Sequence, residues 1–259
     1  MSKGRVLITG ASSGIGAALA AQFAKNDYDL LITARRAQAL EQVKDTIESA
    51  AEVDIITCDL ASRDGPANLV SAIEDKELQI DILVNNAGIA TTGNFESLDQ
   101  NEVDSLLSLN ISALTYLTRH FLTQMVQRGS GRILNVASVA AFQPVPSMGV
   151  YAASKAFVLS LTESLSEELR GTGVSVTALC PGLTNTEMVD SLQAQEVPPF
   201  LMSSAPEVAQ EGFDALMARE VIRIPGMANQ AAVTWAQHQP RWLVRGLGGL
   251  FSRLNPRGN

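Results

Sequence analysis

The chain has 259 residues, 46% of them hydrophobic and 18% charged, with a formal net charge of −8. Such a chain fits one large globular domain with a substantial core, and its acidic balance argues against nucleic-acid binding, because a negative surface repels phosphate. Cys58 and Cys180, the only cysteines, lie in apolar runs and read as buried reduced thiols rather than a disulfide; together with His120 and His238 they show no metal-ligand spacing.

The opening MSKGRVLITG enters a strand directly, with no charged-then-apolar leader. No apolar run reaches the roughly 18 residues needed to span a bilayer, so the expected location is the cytoplasm. Residues 5–9 read as a strand and 14–25 as a helix. Strands follow at 30–33, 53–57, 80–85, 132–136 and 174–180, and helices at 37–48, 68–75, 100–128 and 151–170. The strands are continuous apolar runs rather than alternating ones, as expected when helices cover both faces of a sheet. Strand and helix in alternation imply right-handed βαβ units, hence an α/β fold with a doubly wound parallel sheet. No linker interrupts the pattern, so residues 1–259 are read as a single Rossmann-like domain. After Pro181 the rhythm breaks, and the irregular stretch 183–206 reads as a substrate lid. A strand at 221–224 precedes a C-terminal helical extension over 228–259.

Thr9-Gly10-Ala11-Ser12-Ser13-Gly14-Ile15-Gly16 lies between the first strand and the first helix. Glycines there allow a sharp turn and let a pyrophosphate approach backbone amides at a helix N-terminus. The second strand ends Thr33-Ala34-Arg35-Arg36 without the carboxylate that would hold an NAD ribose. Guanidinium groups suit an additional phosphate, so Arg35 and Arg36 predict NADP(H) over NAD(H). Tyr151 and Lys155 stand one helical turn apart, hence on one face. An ammonium beside a phenol is expected to lower its pKa from the ordinary value near 10. Ser138 follows the strand at 132–136, in the run Asn135-Val136-Ala137-Ser138. Asn110 falls inside the helical stretch 100–128, where an Asn is locally unfavourable.

The TGxxxGxG spacing, with Ser138 and Tyr151-xxx-Lys155, resembles the short-chain dehydrogenase/reductase family over residues 5 to about 190. The resemblance implies a tetrad of Asn110, Ser138, Tyr151 and Lys155, with Tyr151 as proton donor and Lys155 holding the nicotinamide ribose. It implies a dinucleotide site at Gly10, Ser12, Ser13, Gly14, Ile15 and Gly16, with Asp59 and Leu60 at the adenine. Asn86, Ala87 and Gly88 would line the ribose, and Pro181, Gly182 and Thr184 the nicotinamide. Ser13 stands where some NADP-using members carry a basic residue. The C-terminal part lacks the family's Asp-Gly-Gly tail and looks more like bacterial oxidoreductases and ketoacyl or 17β-hydroxysteroid reductases; a homodimer through the helices at 100–128 and 151–170 is implied.

The activity implied is reduction of a hydrophobic ketone or aldehyde, with Ser138, Val139, Ala140, Phe142, Met148, Tyr151, Met188 and Phe200 as substrate contacts. A 3-oxoacyl-thioester reductase, an alcohol or hydroxysteroid dehydrogenase and an NADP-binding regulator are the alternatives. The C-terminal stretch from Pro240 to Leu254 is basic and amphipathic, and fits either docking on the protein's own surface, the preferred reading, or contact with a membrane surface.

Overall fold

The computed structural model describes residues 2–47, 51–185 and 202–246. Seven strands form one sheet in the order β3-β2-β1-β4-β5-β6-β7, every neighbouring pair parallel. They are β1 (Arg5–Thr9), β2 (Asp29–Ala34), β3 (Val53–Thr57), β4 (Ile82–Asn85), β5 (Gly131–Val136), β6 (Val174–Leu179) and β7 (Ile222–Arg223). The α-helices are α1 (Gly14–Lys25), α2 (Ala37–Asp45), α3 (Gly65–Asp75), α4 (Gln100–Leu107), α5 (Leu114–Arg128), α6 (Gly149–Glu168), α7 (Ala205–Met217) and α8 (Met227–Gln237).

The continuous apolar runs belong to strands buried on both faces. Val6, Ile8, Ile32, Val84 and Leu134 pack with Leu19 and Phe23 of α1 and Val208 and Phe213 of α7. The alternate residues Leu7, Leu31, Leu83 and Ile133 pack with Leu69 of α3 and with Leu117 and Phe121 of α5. Side chains of period two therefore feed two separate cores, giving a three-layer molecule.

Two differences from the sequence reading bear on the site. The stretch 100–128 is not one regular helix, because residues Ser108–Ala113 between α4 and α5 are π-helical and hold Asn110. The lid segment 183–206 ends inside α7, which starts at Ala205. Ser204 accepts the amide of Glu207 and the Glu207 carboxylate accepts the Ser204 amide, a capping box that sets the helix start. Ser203 donates its amide to the Leu183 carbonyl and Asn185 donates to the Ser203 carbonyl, so the described ends of the segment are tied together. Met188, Phe200 and the last part of the C-terminal extension lie outside the described residues.

Beneath the carboxyl ends of the strands runs a buried polar ladder. Asn85 Nδ2 donates to Asn135 Oδ1 and Thr118 Oγ1, each at 2.9 Å, and Asn135 Nδ2 donates to Thr162 Oγ1 at 2.9 Å. These bonds join β4 and β5 to α5 and α6. Removing the central member strands its partners in a dry core, where an unpaired polar group is costly. Asn135→Ala is therefore expected to lower unfolding free energy by about 2 kcal/mol, measured by urea denaturation; an unchanged midpoint would show that the ladder contributes nothing to stability.

Candidate active site

The strand order reverses between β1 and β4, so their carboxyl ends open into a crevice, the usual ligand position in such sheets. β1 runs into the glycine turn. Gly10 has φ +65°, and a Cβ added there would lie 2.7 Å from Ala87 Cα; at Gly16 it would lie 2.3 Å from the Gly10 carbonyl oxygen. Only glycine lets the turn press this closely on the end of β4. Asn86 Nδ2 donates to the carbonyls of Thr9 (2.9 Å) and Gly10 (3.1 Å), while Thr9 Oγ1 accepts the amides of Asn86 and Ala87 at 3.0 Å each. Asn86 thus braces the turn from below.

α1 starts directly from this turn at Gly14-Ile15-Gly16. Its first turn has no side-chain cap and no acidic residue, so its amides and positive dipole end face an anion without a built-in competitor. Arg35 and Arg36 are exposed at the end of β2, and Arg36 Nη2 reaches Ser12 Oγ and Ser13 Oγ at 3.4 Å each. A guanidinium from β2 therefore stands beside the turn. Asp59 is exposed after β3 with its carboxylate on the Ala61 amide, whereas Leu60 is buried in the core. The turn, uncapped helix end and adjacent arginine fit a phosphorylated dinucleotide.

On the other side of β4, Asn110 occupies the π-helical segment. Its side chain accepts the Ile89 amide at 3.0 Å and donates to the Ile89 carbonyl at 2.9 Å and to Ser154 Oγ at 3.1 Å. The misfit of an Asn in a helix is thereby resolved, since the widened turn points the amide at the backbone after Gly88. Gly88 lies between Asn110 and Lys155: a Cβ on it would be 3.3 Å from Asn110 Oδ1 and 3.4 Å from Lys155 Nζ.

α6 presents Tyr151 and Lys155 toward the end of β5. The Ser138 side chain lies close enough to the phenol to favour its ionised form. Ser138 Oγ also accepts the Ala140 amide at 3.1 Å, and the Val139 amide donates to the Pro181 carbonyl at 2.9 Å. Ser138 is thereby fixed between β5 and the loop after β6.

Lys155 corrects the sequence expectation. Its buried ammonium donates to the Val136 carbonyl at 2.8 Å and stands 5.7 Å from the centroid of the Tyr151 ring. The phenol is pushed above its ordinary value by burial, and the nearby Ser138 side chain offsets this only in part. The net lowering expected from the neighbouring ammonium is absent because desolvation outweighs it. Burial lowers Lys155 itself to about 8, with Cys180 opposing that shift.

Among the remaining candidates, Val139 and Ala140 are half-buried in a 3-10 turn beside Ser138, and Met148 immediately precedes α6. Phe142 instead packs toward Leu114, Val158 and Cys180, so its ring is at least partly a core residue. Pro181 and Thr184 are buried, and Thr184 Oγ1 donates to the Gly182 carbonyl at 3.2 Å. Two contributors were missed in the sequence. Ser154 links Asn110 to the Tyr151 carbonyl, which it meets at 2.7 Å; its place one turn from Tyr151 was the available signal. Asn229 of α8 lies over Gly182 and donates to the Pro225 carbonyl, which no local pattern announces.

The profile of the short chain dehydrogenases matches residues 4–197. The chain belongs to the short-chain dehydrogenase/reductase family. It is 38% identical over 178 residues to the ketoacyl reductase HetN of Nostoc sp., spanning 68% of this chain and 62% of that protein. Among solved structures it is similar to a short-chain dehydrogenase from Sphingobium yanoikuyae in complex with NADPH, with TM-score 0.82, 32% identity and coverage of 99% and 96% of the two chains. It is likewise similar to the bulky-bulky ketone specific alcohol dehydrogenase of Comamonas testosteroni, with TM-score 0.78, 29% identity and coverage of 100% and 98%.

The burial of Lys155 has a measurable consequence. Its folded value of about 8 lies below the ordinary 10.5, so between those pH values the unfolded chain binds more protons. Stability attributable to this group therefore rises with pH through that window, the charging cost being greatest below pH 8. Comparing the parent with Lys155→Met by urea denaturation from pH 7 to 10.5 is expected to move the difference in the parent's favour by up to roughly 3 kcal/mol. A difference independent of pH would show that the amine is not desolvated.

Proposed function

We propose that the protein is a cytoplasmic NADPH-dependent reductase of hydrophobic ketones or aldehydes, with Tyr151 as general acid. The observation that carries this reading is the placing of the Ser138 side chain beside the Tyr151 phenol, with the buried Lys155 near the ring. When bound, the nicotinamide supplies the hydride that reduces the carbonyl carbon. Ser138, fixed by the Ala140 amide, offers its hydroxyl to the substrate oxygen. Burial keeps the Tyr151 phenol protonated at neutral pH, which is the form required to give a proton to that oxygen. Lys155 holds positive charge behind the phenol and stabilises it once the proton has left. Asn110, braced by Ile89 and Ser154, keeps the backbone after β4 in place beside Lys155.

The preference for NADPH is supported by Arg35 and Arg36 at the end of β2, by the reach of Arg36 to Ser12 and Ser13, and by the NADPH complex of the Sphingobium relative. A hydrophobic substrate is supported by the half-buried Val139, Ala140 and Met148 and by the bulky-ketone specificity named for the Comamonas relative. The likeness to a ketoacyl reductase favours a 3-oxoacyl thioester as the second reading. Exposed Leu107, Tyr116 and Phe157 on α4, α5 and α6 support a homodimer through these helices.

Two measurements bear on the reading. Tyr151→Phe is expected to reduce turnover by at least about 100-fold while NADPH affinity stays near that of the parent; near-parent turnover would remove Tyr151 as the acid. Arg36→Ala is expected to weaken NADPH binding about tenfold and leave NADH binding unchanged, as measured by titration of cofactor fluorescence. Equal effects on both cofactors would defeat the role given to the arginine.

A further inference from the structure

Among the described α-helices, α8 alone carries no charged side chain. A solvent-facing helix normally presents charges on its outer face, as α2 and α7 do here. One side of α8 is seated on the protein: Val233 is buried, Asn229 lies over Gly182, and Gln230 Nε2 donates to the Ile224 carbonyl at 2.8 Å. Met227, Ala231 and Trp235, spaced by four, look outward. Met227 is 87% exposed and Trp235 50%.

The chain then turns at Pro240 into a helical stretch over 241–246. Val244 is buried against the protein, while Trp242 is 67% exposed between the exposed Arg241 and Arg245. The sequence alternatives of self-docking and membrane contact are thus combined, since one side docks and the other stays open. No Asp or Glu follows Glu220. An acidic protein therefore carries a local surface of aromatic and apolar side chains edged by cations. Tryptophan beside arginine suits the boundary between lipid headgroups and acyl chains, and the arginines complement anionic headgroups. A two-fold contact with a second copy would instead gather four arginines into one interface, with no carboxylate from the residues after Glu220 to pair them. No helix of the described residues is long and apolar enough to cross a bilayer, so the contact is peripheral.

We propose that Met227, Ala231, Trp235, Arg241, Trp242 and Arg245 form a docking face for the surface of an anionic lipid bilayer. α8 also packs over Gly182 beside the proposed nicotinamide position, so docking would set the site's rim next to the lipid.

Trp235 and Trp242 are the only tryptophans in the chain, so intrinsic emission reports on this face alone. The full-length protein is titrated with vesicles of phosphatidylcholine, or of phosphatidylcholine and phosphatidylglycerol in equal parts. Mixed vesicles are expected to shift the emission to the blue, with quenching by brominated acyl chains, whereas neutral vesicles give a much weaker response. Two arginines at about 1 kcal/mol each imply a roughly thirtyfold lower partition coefficient for R241Q/R245Q, since 1.4 kcal/mol is a factor of ten. Three results would overturn the proposal: unshifted emission with mixed vesicles, undiminished binding of the double variant, or a blue shift that follows protein concentration without lipid, which would assign the face to a second copy. The emission arm uses the unaltered protein and stands whether or not the variant folds.

Discussion

The junction of β1 with β4 is the constraint on which the site depends. The two strands pair in parallel although a long stretch of chain separates them, and the two hydrogen bonds that the Asn86 side-chain amide donates to the carbonyls of Thr9 and Gly10 lock their ends together. That lock places the glycine turn on one side of β4 and Gly88, with Asn110 and Lys155, on the other. The glycine turn and the groups proposed to transfer the proton thus share a single strand end. A shift of β4 by one residue would exchange Asn85 with Asn86, sending the bracing amide into the core and the ladder's amide into the turn.

Electrostatically the site is governed by burial more than by charge pairing. The phenol, the amine and the thiol of Cys180 are all held toward their neutral forms, Cys180 being pushed up to about 12. The ammonium is kept in place by its hydrogen bond to the Val136 carbonyl, and Ser138 moderates both neighbours, its side chain favouring the ionised phenol and its backbone the ionised thiol. Burial of this kind strengthens the attraction between fixed hydrogen-bond donors and charge that a substrate develops there, because solvent screens it less.

Much of the architecture was legible in the sequence because β1, β4 and β6 are buried on both faces and read as unbroken apolar runs. The spacing of Ser138, Tyr151 and Lys155 likewise survives folding, since one residue ends a strand and the other two share a helical turn. The π-helical segment was not legible: apolar periodicity continues across 100–128, and only Asn110 hinted that the backbone must open to satisfy it. α7 left a visible cue in the Ser204–Glu207 capping box, overshadowed by the irregular stretch before it. The clamp of Asn229 on Gly182 joins distant segments and has no local trace. The charge state of the site was also hidden, because desolvation is a property of the whole packed environment rather than of neighbouring residues.

The parallel strand order has a cost in the time domain. β1 can pair with β2 as soon as the first crossover forms, but its other edge stays open until β4 has been made. During synthesis from the N-terminus, Val6, Leu7 and Ile8 therefore present an unsatisfied apolar ribbon edge while α2, β3 and α3 emerge. Contacts this distant in sequence slow folding, since loop closure must precede the reward of pairing. The strand at the heart of the finished enzyme is thus the one most open to mispairing on the nascent chain.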